Sequence, residues 1–163
     1  MADQFWAGNG VEPTTASRVA VATGTAIKTL LQIAPPSTKE IIPVAWGIAF
    51  DGITNAVPGI LELIETDVAA TGGTSLTPTP YSNPNGPASL CVGGAALTCF
   101  SPTGEGTITA VRTADVQFVA PTNQYGLQWP LGREFRVRAS KFLRVRAKFA
   151  ATVNAIVWVQ WEE

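Results

Sequence analysis

From Arg18 onward apolar positions recur at short intervals broken by turn residues, and no window of helical length carries an i, i+3, i+4, i+7 stripe. The pattern predicts strands over 19–22, 26–33, 41–50, 60–66, 107–111, 115–119, 125–129, 135–138, 142–149 and 153–161, each rich in β-branched or aromatic residues and bounded by Gly, Pro, Asn or Asp. Strands of this number and length make a sandwich. Period-2 geometry also assigns faces. In 142–149, Leu143, Val145, Ala147 and Phe149 point one way and Arg144, Arg146 and Lys148 the other, so one face is core and the other basic. The last strand is apolar on both faces, with Val153, Ala155, Val157, Val159 and Trp161 on one and Ile156 and Trp158 on the other. Such a strand is covered on both sides, either as a central strand of its own domain or by a neighbouring subunit.

Two segments fall outside this alternation. Residues 1–17 read as an N-terminal arm in which Phe5 and Trp6 stand among polar and glycine residues. The pair serves either to dock into a neighbour's groove, where buried Trp is a frequent hot spot, or to staple the arm to its own domain. Residues 69–106 read as a long loop insertion, rich in proline and glycine and without period. Loops of that length inside a compact domain are usually functional or disordered. The remainder, 18–163, suits a single all-β antiparallel sandwich domain, since one core can use the whole length.

Composition narrows the function. The 163 residues are 46% hydrophobic but only 14% charged, with five Trp and seven Phe. Soluble proteins average about 25% charged residues. A surface poor in charge and rich in aromatics is expected where part of it is permanently buried against other subunits, although a well-packed β domain with uncharged loops has the same composition. The start MADQFWAGNG lacks the basic and apolar regions of a signal peptide, and no apolar run approaches the roughly 18 residues that span a bilayer. With no export signal expected, Cys91 and Cys99 read as reduced, small apolar residues rather than a loop-closing disulfide.

Histidine is absent, which removes Ser-His-Asp and Cys-His arrangements, His-containing metal sites and the commonest general base. Glu62, Glu65 and Asp67 form the densest acidic group outside the C-terminal pair, but they lie in a strand pattern and read as a solvated edge rather than a catalytic pair. Asp51-Gly52 is a turn signal, and the GGTS and VGG pieces lack the strand-to-helix setting of a phosphate cradle. The expectation is no enzyme, no cofactor and no metal. Charge is lopsided: residues 133–148 hold seven of the eleven cationic side chains against Glu134 alone, a local charge of +6, while the rest carries −7. Clustered Arg can bind phosphates, but an acidic remainder repels a polyanion. A basic-to-acidic contact between copies, or with an acidic shell, fits better.

Four stretches carry a resemblance: TGTAIKTLLQIAPPSTKEIIPVAWGIAFDG (23–52), PGILELIETD (58–67), LQWPLGREFRV (127–137) and VWVQWEE (157–163). Together they resemble the small head decoration, or cement, proteins of tailed bacteriophages and prophages. The resemblance implies a jelly-roll-like sandwich, often a homotrimer, made in the host cytoplasm. It would sit on the exterior of an icosahedral capsid and stiffen it against internal DNA pressure. The partners implied are the chain itself and the major capsid protein, with no direct nucleic acid and no membrane. Candidate assembly contacts are Phe5, Trp6, Arg136, Arg138, Arg144, Arg146 and Trp158. The alternative is a carbohydrate- or receptor-binding module, a lectin-like jelly roll on a fibre or vertex, with Trp46, Trp129, Trp158 or Trp161 as stacking platform. A carboxylate hydrolase is a third reading, resting on Glu62 and Glu65.

Overall fold

The structure, a computed structural model, describes residues 2–51, 57–91 and 98–163. Gly52 of the Asp51-Gly52 turn and the VGG piece of the insertion lie outside the described residues. In chain order the strands are β1 (Gln4–Gly8), β2 (Val21–Ala22), β3 (Lys28–Ile33), β4 (Ile42–Asp51), β5 (Gly59–Thr66), β6 (Thr74–Ser75), β7 (Thr79–Pro80), β8 (Cys99–Phe100), β9 (Val111–Val119), β10 (Tyr125–Gln128), β11 (Phe142–Lys148) and β12 (Asn154–Glu162). There is no helix among the described residues.

The pairings are nested. β1 pairs with β12, β3 with β11, β4 with β10 and β5 with β9, all antiparallel. The first half of the chain thus forms one long ribbon with the second half, and the tip of that ribbon is the insertion between β5 and β9. Winding the ribbon places β10-β4-β12-β1-β7 in one sheet (sheet A) and β6-β8-β3-β11-β5-β9 in the other (sheet B). This is the double Greek key of a jelly roll. β2 continues the line of β1 along β12 through Ala155↔Val21 and Asn154↔Ala22.

The inner faces follow the alternation of the sequence. Ala155, Val157, Val159 and Trp161 of β12 are sealed from solvent, as are Leu143, Val145 and Ala147 of β11 opposite them in the sandwich. Burying each large apolar side chain contributes about 1.5–3 kcal/mol. Trp46 and Trp161 are the largest of the fully buried side chains, and the Phe5 and Trp161 rings meet at 6.1 Å. That contact decides between the two readings of the N-terminal segment. Residues 4–8 are not an arm but a strand between β12 and β7, and Phe5 belongs to the core.

Other differences from the predicted elements have local causes. The candidate at 115–119 is the second half of a longer strand, β9, which starts only at Val111 and leaves 107–110 outside it, and a bulge opposite Leu63 and Ile64 breaks its alternation. Residues 135–138 are not a strand: only Val137 bridges, exchanging backbone hydrogen bonds of 2.9 and 3.1 Å with Ile41.

The insertion is more than a loop. Arg144 lies on the outer face of sheet B, opposite Gln32 and Ile64, yet it is fully buried. Its Nη1 donates to the Glu105 carbonyl (2.9 Å) and carboxylate (3.2 Å), and its Nη2 donates to the Val68 carbonyl. Glu105 also accepts from the Thr29 amide (2.5 Å) and hydroxyl (2.8 Å), and Gln32 accepts from the Ala70 amide (2.7 Å). Both ends of the insertion are therefore fixed across the outer face of sheet B. From there it supplies β8 and β6 to the edge of β3 and β7 to the edge of β1.

Removing one partner of a buried ion pair leaves an uncompensated buried charge, at a cost of about 3–5 kcal/mol. Arg144→Ala abolishes the network from the other side, freeing Glu105 and the Val68 carbonyl. Because Glu105 is about a quarter exposed and keeps its Thr29 hydrogen bonds, we expect a smaller loss of unfolding free energy, about 1–3 kcal/mol, in urea titration. The exposed Arg136→Ala should stay within about 0.5 kcal/mol of wild type.

Candidate functional site

The acidic group is engaged, and its members do not converge. Glu62 and Glu65 lie on opposite faces of β5 by alternation with Leu61 and Leu63. Glu62 accepts from Arg146 Nη2 at 2.6 Å on the outer face. Glu65 is buried and accepts from Arg138 Nη2 (2.6 Å), Nε (2.9 Å) and amide (2.9 Å), and from Arg112 Nη1 (3.0 Å). Burial alone would raise its pKa, but the hydrogen bonds from Arg138 and Arg112 outweigh that and hold it below its ordinary value. Asp67 accepts from the Thr109 hydroxyl and from the amides of Ala110 and Thr109, which lower its pKa to about 2. These carboxylates tie strands and loops together. Among the described residues no His, Cys, Asp or Glu group is placed to hold a metal ion.

The basic segment is turned inward only in part, at Arg144 and Arg146. Arg138, Arg144 and Arg146 are each paired with a glutamate, Arg138 while remaining exposed, and Arg136 is exposed too. Arg144 is wholly buried and Arg146 nearly so, so of the four arginines proposed as assembly contacts these two present little to a partner. Cys91 and Cys99 are free thiols, both buried, and burial pushes both pKa values up, away from reactivity.

The aromatics divide by face. Trp46 and Trp161 belong to the core, so neither can serve as a platform. Trp6 and Trp158 instead lie half-buried on the outer face of sheet A. Register places Gly126, Gly47, Trp158 and Gly8 in one row across the sheet. A Cβ on Gly47 would stand 2.8 Å from the Trp158 ring, and one on Gly8 would stand 2.6 Å from the Trp6 ring. Each indole therefore lies down over a glycine. The Arg18 guanidinium sits 5.0 Å from the Trp6 ring centroid while donating to the carbonyls of Gly8, Asn9 and Gly10.

Beside these rings runs a chain of amides: Gln160 Nε2 donates to Gln4 Oε1 (3.3 Å), and Gln4 Nε2 donates to Glu162 Oε1 (2.8 Å). Two depressions meet here. One, of about 320 Å³, is lined by Trp6, Tyr81, Trp158 and Gln160. The other, of about 290 Å³, extends past Gln4 and Gln128 to Trp129, Leu131 and Glu134 and shares Tyr81 and Gln160 with the first. The result is one trough along the outer face of sheet A. Alternation already places Trp158 and Gln160 on one face of their strand; the addition of Trp6, Gln4 and Tyr81 depends on register and on the insertion, which period alone does not give.

A second surface lies at the other side of the sandwich. β9 and β10 are the edge strands opposite those that the insertion covers. Phe118 is 75% exposed on β9, with Val116 exposed two residues before it on the same face. Set against family models, curated proteins and solved structures, the chain matches none.

Lowered carboxylate pKa values make stability depend on pH in a definite direction. Glu65 and Asp67 bind protons more weakly folded than unfolded, so their contribution is present above their ordinary values of 4.5 and 3.8 and is lost as pH falls. For Asp67 the loss runs down to about pH 2. We expect the unfolding free energy to decline on acidification below about pH 4.5. Glu65→Gln should lower stability at pH 7 and flatten that decline, as read by denaturant titration at several pH values.

Proposed function

We propose that this chain is a structural component of a virus particle, a decoration protein that self-associates on the exterior of a tailed-phage capsid and stabilises it. One observation carries the reading: β9 offers a nine-residue open edge with Val116 and Phe118 exposed beside it. Monomeric β proteins blunt such edges with charge, proline, bulges or covering segments, and β9 carries Arg112, Asp115 and one bulge but no proline. Among the described residues the insertion covers the edges at β1 and β3, and no strand pairs with the outer edge of β9.

Three further features support it. The jelly roll is a recurrent form of viral shell proteins. A composition only 14% charged, with many of those charges spent on internal ion pairs, leaves a surface suited to burial in an assembly. The four stretches quoted above resemble phage head decoration proteins. An edge contacting a different patch on the next copy makes a heterologous interface, which closes into a ring when the rotation allows. A homotrimer is the expected product, and the major capsid protein its support.

Light scattering coupled to size exclusion should return a trimer for the wild-type chain and a monomer for the Val116→Lys, Phe118→Asp double variant. Wild type should bind shells lacking it, and gradient-purified particles should contain it in near one-to-one ratio with the shell protein. A wild-type chain that stays monomeric and leaves such shells bare overturns the reading.

A further inference from the structure

The charged clusters are satisfied internally, the thiols are buried, and the open edge is used by the assembly reading. The trough on the outer face of sheet A is used by none of these. We propose that it is a binding groove for a neutral oligosaccharide, with Trp158 and Tyr81 as stacking surfaces and the amides of Gln4, Gln160 and Gln128 as the polar contacts. This does not rest on the virion reading.

The floor has the required shape. Trp158 is flanked in register by Gly47 on one side and Gly8 on the other, so no Cβ rises beside it, and the indole lies against the sheet. A ring held flat presents its other face outward, and a sugar ring presents a patch of C–H bonds that stacks on such a face. Tyr81, 61% exposed, stands where the two depressions join. The trough crosses from β7 beside Tyr81 to β10 beside Trp129, four inter-strand steps of about 4.8 Å each, which accommodates a short chain of sugar rings.

The polar complement fits hydroxyl groups rather than charges. Gln160, Gln4 and Glu162 hold one another in sequence, which fixes the orientation of both amides. Each amide nitrogen has a second hydrogen beyond the one used in that chain, and each carbonyl oxygen has two lone pairs. Ordered amides of this kind meet sugar hydroxyls as both donor and acceptor. No cationic side chain lines either depression, and Glu134 and Glu162 are the charges that do, which disfavours phosphate, sulfate or sialic acid. Arg18, the nearby cation, is committed to Glu12 at 2.8 Å and to three backbone carbonyls. A few oriented polar groups set among aromatic walls are the usual make-up of a small-molecule site.

The test uses the full chain on an array of neutral and anionic oligosaccharides, followed by calorimetric titration with the best neutral binder. We expect a neutral oligosaccharide to bind. Trp158→Ala and Tyr81→Ala should each weaken binding by about tenfold, the loss of one large aromatic contact, and Gln160→Ala should weaken it to a smaller degree. Tyr81 is exposed, so its variant separates loss of binding from loss of folding. Absence of any neutral ligand, preference for anionic glycans, or affinity untouched by Tyr81→Ala and Gln160→Ala overturns the proposal. So does a change of oligomeric state in those variants, which would make the trough a protein interface. Phe118→Asp should leave sugar affinity unchanged, so failure of the assembly reading and failure of this one are distinguishable.

Discussion

A guanidinium sealed beneath the chain organises this molecule. Arg144 projects from the outer face of sheet B, where an ordinary two-layer sandwich meets solvent, and is instead fully buried by the two ends of the β5–β9 insertion. Its charge is met by Glu105, which reaches past it to the Thr29 amide and hydroxyl on β3. Burying a charge is tolerated only where it is paired and hydrogen-bonded, so the insertion cannot lift off without stranding both partners. Gln32, on the neighbouring strand, extends the same hold to Ala70.

The rest of the surface follows from that hold. With its ends fixed over sheet B, the insertion lays β6 and β8 along β3, and β7 along β1, closing one side of the jelly roll. Glu163 secures the segment again, accepting from the Ser89 hydroxyl, the Leu90 amide and the Trp161 indole. The ends of the insertion thus cross the outer face of sheet B at Val68, Ala70 and Glu105, while its short strands extend the two sheets at their edges. The uneven charge along the chain has the same origin. The cations of 133–148 appear as a basic block in the sequence, but Arg138, Arg144 and Arg146 meet Glu65, Glu105 and Glu62 in space, so much of the apparent asymmetry is internal pairing.

What the sequence made legible was local. Alternation in 142–149 assigned Leu143, Val145 and Ala147 to the core correctly, and it placed Arg144 on the opposite face. It gave no sign that this face is covered, because the covering segment has no period and its contacts span 39 residues from Glu105 and 76 from Val68. The same limit hid β1. QFWAG sets two adjacent aromatics among polar and glycine positions, a pattern without period-2 alternation, and only pairing with β12 makes it a strand. The two-sided apolar character of 153–161 was visible, with both explanations open. β12 is in fact central in its sheet, and Ile156 and Trp158 face outward over alanine and glycine of β4.

That last arrangement has a consequence for how the two proposed surfaces coexist. The trough belongs to the outer face of sheet A, and β9 belongs to sheet B, so the core separates them. β10 follows β9 in the chain and joins sheet A, with Tyr125 and Leu127 facing inward and Gln128 lining the trough. A neighbour seated against β9 therefore leaves Trp158 and Tyr81 open. A neighbour that also reached β10 would stand beside Trp129 and Leu131, which line one end of the trough. The proposed assembly edge and the proposed sugar-binding face thus place separate demands on the fold, because they lie on different sheets.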